Sequence, residues 1–129
     1  MTLDSSALVA ILFGESGHLE LVDRILAADD VRISAPTLVE ASLVFAGRRK
    51  SPAAGEVEAL VKELGVTVVP FGERESRAAI AASLQYGRGR HAASLNFGDC
   101  LAYAAASVAG DSLLFVGDDF RKTDITAAY

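Results

Sequence analysis

Four short apolar runs separated by amphipathic stretches constrain this fold more than any other feature. They are "MTL" (1–3), "VRIS" (31–34), "VTVV" (66–69) and "LLFV" (113–116). Val, Ile, Leu and Phe dominate them with little polar alternation, the pattern of strands buried on both faces of a parallel sheet. Helical periodicity fills the intervals at 6–13, 18–28, 37–47, 55–64, 73–86 and 99–109. The apolar stripes are Leu19, Val22 and Leu26 in the second, with Leu21, Ile25 and Ala28 beside them, and Leu38, Ala41 and Phe45 in the third. Val57, Leu60, Val61 and Leu64 mark the fourth, and Leu101, Ala104, Ala105 and Val108 the last. Pro36 and Pro52 stand where helices should begin, and Gly65 and Gly110 where two should end. Strands alternating with helices predict an α/β fold, a three-layer α/β/α sandwich with a mostly parallel sheet of four to five strands. At 129 residues the chain is expected to form a single domain, 1–129.

In folds of this kind ligands bind beyond the carboxyl ends of the strands. That edge collects acids. Asp4 follows the first strand, and Glu40 lies in the first turns of the helix after "VRIS". Asp99 opens the late helix as the one charged side chain of "NFGDCLAYAAASV", and Asp118 and Asp119 follow "LLFV" after Gly117. Glu40 is flanked by Leu38, Val39, Ala41, Leu43, Val44 and Phe45, so it is expected to be buried with a partner. Asp23, on the 18–28 helix, reads as part of a solvated face. No Lys or Arg adjoins Asp4, Glu40 or Asp99 in sequence. Carboxylates gathered without cations repel one another, and a divalent ion relieves that. Mg²⁺, or Mn²⁺, takes oxygen ligands with waters and phosphate, and Asp99 reads as such a ligand that also benefits from the helix N-terminus.

Composition narrows the rest. A net charge of -5 argues against a protein that coats nucleic acid through bulk positive charge, while leaving room for an acidic, metal-loading pocket. The single cysteine, Cys100, forms no internal disulfide and reads as a packed core thiol. His18 and His91 lack metal-ligand spacing. No leader pattern and no apolar run of about 18 residues is seen, so a cytoplasmic protein with no membrane association is expected.

In order and spacing, these motifs resemble the PIN-domain ribonucleases, in particular the VapC-type toxins of bacterial toxin–antitoxin pairs. "LDSSALVAIL" is similar to the family's opening strand, with Asp4 in its metal-binding position and Ser6 in its hydroxyl position. "SAPTLVEASLV" matches the segment of the second acid, Glu40, and "LNFGDCLAYAAA" that of the third, Asp99. "LLFVGDDF" matches the closing strand and fourth acid, with Asp118 preferred and Asp119 the close alternative. The resemblance implies a Mg²⁺-dependent endoribonuclease, a cognate antitoxin whose tail occupies the acidic groove, and a homodimer. Ser6 would then contact phosphate or a carboxylate, or cap the 6–13 helix. Two alternatives stay open: another metal-dependent phosphate-handling enzyme, which Ser6 in place of a second Asp disfavours for a phosphoaspartyl route, and a non-catalytic PIN-like interaction module.

The Gly-punctuated stretch "QYGRGRHAASLNFGD" brings Arg88, Arg90 and His91 close before Asp99. Arg88 and Arg90 are candidate RNA-backbone contacts and Tyr86 a candidate base-stacking ring, against the alternative of a solvated flexible loop. "GRRKSP" (47–52) reads as a helix end whose cations suit the dipole.

Overall fold

A computed structural model describes residues 1–50 and 55–129. The elements in chain order are β1 (Thr2–Leu3), α1 (Ser5–Leu12), α2 (His18–Ala27), β2 (Arg32–Ser34), α3 (Ala35–Arg49), α4 (Glu56–Glu63), β3 (Thr67–Val69), α5 (Glu73–Tyr86), α6 (Phe97–Ala109) and β4 (Leu113–Leu114). A 3-10 turn at Phe120–Lys122 follows. The strands order β3-β2-β1-β4 with every pair parallel, Thr2 opposite Arg32 on one side and Leu113 on the other. A lone parallel bridge from Leu113 to Ala127 extends the outer edge of β4.

Two cores flank the sheet. On one face Leu3, Ile33 and Leu114 pack with Leu8, Leu21, Ile25, Phe45, Val57 and Val61 from α1–α4. On the other, Leu113 and Phe115 meet Ala79, Ala82 and Tyr86 of α5 and the Ala-rich face of α6. The three-layer sandwich expected from the strand–helix alternation is present.

Local expectations change in four places. β3 is an edge strand with Val68 exposed: among the described residues nothing pairs beyond it, and Val66 is the buried residue of the run. In α2 the buried stripe is Leu21 and Ile25, while Leu19 and Leu26 face outward. The first helix is capped by Asp4, whose side chain accepts from the Ser6 amide, and not by Ser6. The last helix begins at Phe97 with Asn96 as its cap, so Asp99 is its third residue. Pro36 does sit in the first turn of α3, and Gly110 closes α6 with a left-handed φ of 68°. The helix start expected at Pro52 lies outside the described residues.

Candidate active site

β1 passes into α1 through a single residue, Asp4. Its amide donates to the Leu114 carbonyl at 2.9 Å, which ties it to β4. Its side chain is 3% exposed. One carboxylate oxygen, Oδ2, accepts from the Ser6 amide at 3.0 Å and the Ser6 hydroxyl at 2.5 Å. That hydroxyl in turn accepts from the Val116 amide at 3.0 Å, beyond β4. Ser6 therefore gives its proton to a carboxylate and links the ends of two neighbouring strands. The other oxygen, Oδ1, is buried with no partner. Burial pushes the Asp4 carboxyl up to about 6; the Ser6 bonds oppose this, and the charges of Asp99 and Glu40 add to it.

Glu40 comes from the second turn of α3. It is half-buried, and the reason differs from the expected enclosure: its neighbours Val39 and Leu43 are themselves exposed, Leu43 by 68%. The Ser5 hydroxyl donates to Glu40 Oε1. Oε2 lies over Gly98 in the first turn of α6, where a Cβ would come within 1.5 Å of it.

Asp99 forms a reciprocal cap with Asn96. Its Oδ2 accepts from the Asn96 amide at 2.9 Å, and its own amide donates to Asn96 Oδ1 at 2.8 Å. Its carboxyl is raised, by burial first; the Asn96 amide lowers it, Glu40 and Asp119 raise it, and Arg88 lowers it. So the charges of Asp99 and Glu40 act on Asp4, those of Glu40 and Asp119 act on Asp99, and Arg88, eleven residues before it, offsets them at Asp99. Asp118 stands apart: it is 87% exposed and approaches Arg121 at 3.9 Å. The turn between strand and acids carries Gly117 at φ 105°, a left-handed conformation suited to glycine; Asp119, like Asp118, is exposed.

The opposite edge of the sheet provides a contrast. There Asp111 receives the Thr2 hydroxyl at 2.8 Å and the Arg32 guanidinium at 3.5 Å. At the carboxyl edge Asp4, Glu40 and Asp99 form no ion pair with Lys or Arg among the described residues, and only Asp118 does, with Arg121. Among the described residues no group of three or more His, Cys, Asp or Glu is placed to hold a metal ion. The donor set fits an ion that needs only one or two carboxylates and completes its shell with water and phosphate. An orphaned buried carboxylate oxygen on Asp4, beside two further carboxylates, is what such an ion would complete.

Other expected contacts fall elsewhere. Tyr86 is buried against His91 and Tyr103, with ring centroids 5.1 and 5.7 Å away, so it is a core residue and no stacking platform. The 87–95 loop is pinned: Arg88 N bonds Leu95 O at 3.2 Å and Leu95 N bonds Tyr86 O at 3.0 Å. Arg88 and Arg90 are exposed on it. His18 and His91 each engage local backbone through Nδ1, at 2.9 and 3.0 Å. Cys100 is buried, and burial pushes its thiol up. Arg48 pairs with Glu15 at 2.9 Å at the end of α3. A cleft of about 530 Å³ between α5 and α6, lined by Ile80, Leu84, Arg88, Asn96, Phe97 and Leu101, adjoins the acids but is mostly apolar. Sequence reasoning did not single out Ser5, Asn96 or Gly98; with the last helix expected to open at Asp99, Gly98 read as lying before it, whereas the helix starts at Phe97.

The PIN domain family model matches residues 1–125. The chain belongs to the PIN domain family. Among the relatives of this PIN domain are ribonuclease VapC36 of Mycobacterium tuberculosis, 43% identical over 97% of this chain and 91% of that protein, and ribonuclease VapC of Mycolicibacterium smegmatis, 40% identical over 100% of both. Solved structures share the PIN fold. A toxin–antitoxin complex from Klebsiella pneumoniae superposes with TM-score 0.71 at 14% identity, covering 99% of this chain and 97% of that one. Mycobacterium tuberculosis VapC20, a toxin that cleaves the sarcin–ricin loop, superposes with TM-score 0.76 at 16% identity, covering 97% and 95%. No helix among the described residues of this PIN domain is long and apolar enough to cross a membrane.

Proposed function

We propose that this chain is a Mg²⁺-dependent endoribonuclease, one nuclease domain over residues 1–129, acting in the cytoplasm as the toxin of a toxin–antitoxin pair. The observation that carries the reading is the unpartnered, buried Oδ1 of Asp4 beside the carboxylates of Glu40 and Asp99. Asp4 and Asp99 would hold the ion, Mn²⁺ serving in place of Mg²⁺. When bound, it neutralises the carboxylates and supplies a Lewis acid for a phosphate oxygen. Asp119, which acts on Asp99, is the fourth acid in preference to Asp118. Glu40 and Asp119 orient a water and accept its proton as its oxygen attacks phosphorus and the bond to the leaving oxygen breaks. Arg88 and Arg90 meet the RNA backbone at the rim. Ser6 acts through Asp4, its hydroxyl proton being committed to that carboxylate.

Two partners follow. An antitoxin with an Arg aimed at the acids would block them by bidentate pairing. A homodimer would cover Val39, Leu43, Ile80, Leu84 and Phe97, all large, apolar and exposed on α3, α5 and α6, with Phe97 exposed by 81%. The test is cleavage of total cellular RNA with Mg²⁺ or with chelator, beside Asp99→Asn. Metal-dependent cleavage lost in the variant is expected; equal cleavage by both proteins without metal refutes the reading.

A further inference from the structure

Gly98 has no conformational reason to be glycine. It lies within the first turn of α6 and is absent from the residues with positive φ. An alanine would favour the helix. What glycine provides is space. Of the glycines in the described residues, Gly87 and Gly98 alone lack room for a Cβ; at Gly87 the obstacle is backbone, whereas at Gly98 it is the carboxylate of Glu40. The same carboxylate is gripped from the other side, where the Ser5 hydroxyl donates to Oε1. Ser5 opens α1, Glu40 is on α3 and Gly98 on α6, so three helices meet at one carboxyl group.

We infer that Ser5 and Gly98 are positioning residues that together hold the Glu40 carboxylate against the first turn of α6, beside Asp99. This rests on the ribonuclease reading above and names how one of its acids is aimed. Glu40 is long, with several rotatable bonds, and on an exposed helix face it would otherwise sample many rotamers. The Ser5 bond fixes one oxygen, and the bare Cα of Gly98 lets the other settle where the helix dipole favours a negative charge. A methyl at position 98 pushes Glu40 off this seat and breaks the Ser5 bond. The flexible acid can move, so the fold survives while the alignment does not.

The test combines melting with cleavage. In chelator, Gly98→Ala is expected to raise the melting temperature by about 2–5 °C in a Glu40→Ala background, where only helix propensity acts. With Glu40 present it should raise it clearly less or lower it. Cleavage of total cellular RNA with Mg²⁺ should fall about 100-fold in Gly98→Ala, the loss typical of an ångström-scale misplacement. It should fall about tenfold in Ser5→Ala, with Ser5→Thr retaining activity. Gly98→Ala combined with Glu40→Asp, which withdraws the carboxylate by one methylene, should cleave faster than Gly98→Ala alone. Mn²⁺ binding, followed by the resonance of the free ion, should persist in Gly98→Ala. Equal melting shifts in both backgrounds, unchanged cleavage by Gly98→Ala, or loss of its Mn²⁺ binding would each overturn the inference. A wild-type chain that neither binds Mn²⁺ nor cleaves would instead overturn the functional reading, with the melting shifts still reporting on the contact.

Discussion

Replacing Asp4 by Asn tests the charge at the centre of the site. The Asp4 carboxyl rises from 3.8 to about 6 in the folded chain. At about 1.36 kcal/mol per pKa unit, holding it ionised destabilises the metal-free fold by about 3 kcal/mol at neutral pH. The folded-state value lies above the unfolded one, so the penalty is absent below pH 4 and grows as pH rises to 6, where it levels off. Asn removes the charge and keeps an oxygen for Ser6, but sets an amide where Oδ1 has no partner. An unmatched buried donor of that kind costs about 1 kcal/mol. In chelator Asp4→Asn should therefore be more stable than wild type by about 2 kcal/mol at pH 7.5, roughly 6–10 °C in melting temperature. At pH 4 the order should reverse, to a deficit of about 1 kcal/mol. Mn²⁺ at a hundredfold excess over its dissociation constant should stabilise the wild type by about 2.7 kcal/mol and the variant far less. Urea or thermal unfolding at the two pH values, with and without Mn²⁺, measures all of this. A stability difference that does not change between pH 4 and 7.5 would refute the burial of an ionised, unmatched carboxylate.

Asp119→Asn should slow RNA cleavage about 10–100-fold while Asp118→Asn leaves it near wild type, and equal rates in the two variants would remove Asp119 from the site. Arg88→Ala, measured in the Asp4→Asn background so that RNA stays intact, should weaken RNA binding and lower its salt slope by about one; an unchanged slope would mean that Arg88 touches no phosphate. Leu43→Glu should convert a dimer to a monomer in sedimentation, since a charge on an apolar interface is not tolerated. Phe45→Ala, in a core where the ring is 1% exposed, should destabilise by about 3–5 kcal/mol in urea titration.

The layer order and the parallel sheet were legible because both faces of the sheet carry apolar residues of the strand runs, Leu3, Ile33 and Leu114 on one and Leu113 and Phe115 on the other. Asp4 was legible as a site candidate because the strand ends there. Glu40 was singled out by its apolar neighbours, yet Val39 and Leu43 face outward; hydrophobicity alone does not distinguish a core from a surface awaiting a partner. The preference for Asp119 over Asp118 rests on its charge reaching Asp99, a proximity that two adjacent aspartates in the sequence do not announce. The stripe in α2 was misphased because Leu19, Leu21, Ile25 and Leu26 offer two possible faces, and contact with α1 selects one. Tyr86 was taken for a surface ring because Gly and Arg follow it; its packing on Tyr103 joins residues 17 positions apart, beyond any local pattern.

β1 contributes only Thr2 and Leu3 before the chain becomes helix, with Asp4 as the whole of the connection. One residue inserted or deleted there would swing the carboxylate to the other face of the sheet and detach Ser6 from Val116. A centre anchored on so short a tether has no slack with which to drift. On the proposed ribonuclease reading, room to change RNA target lies instead at the rim, where the pinned loop of residues 87–95 carries its arginines into solvent.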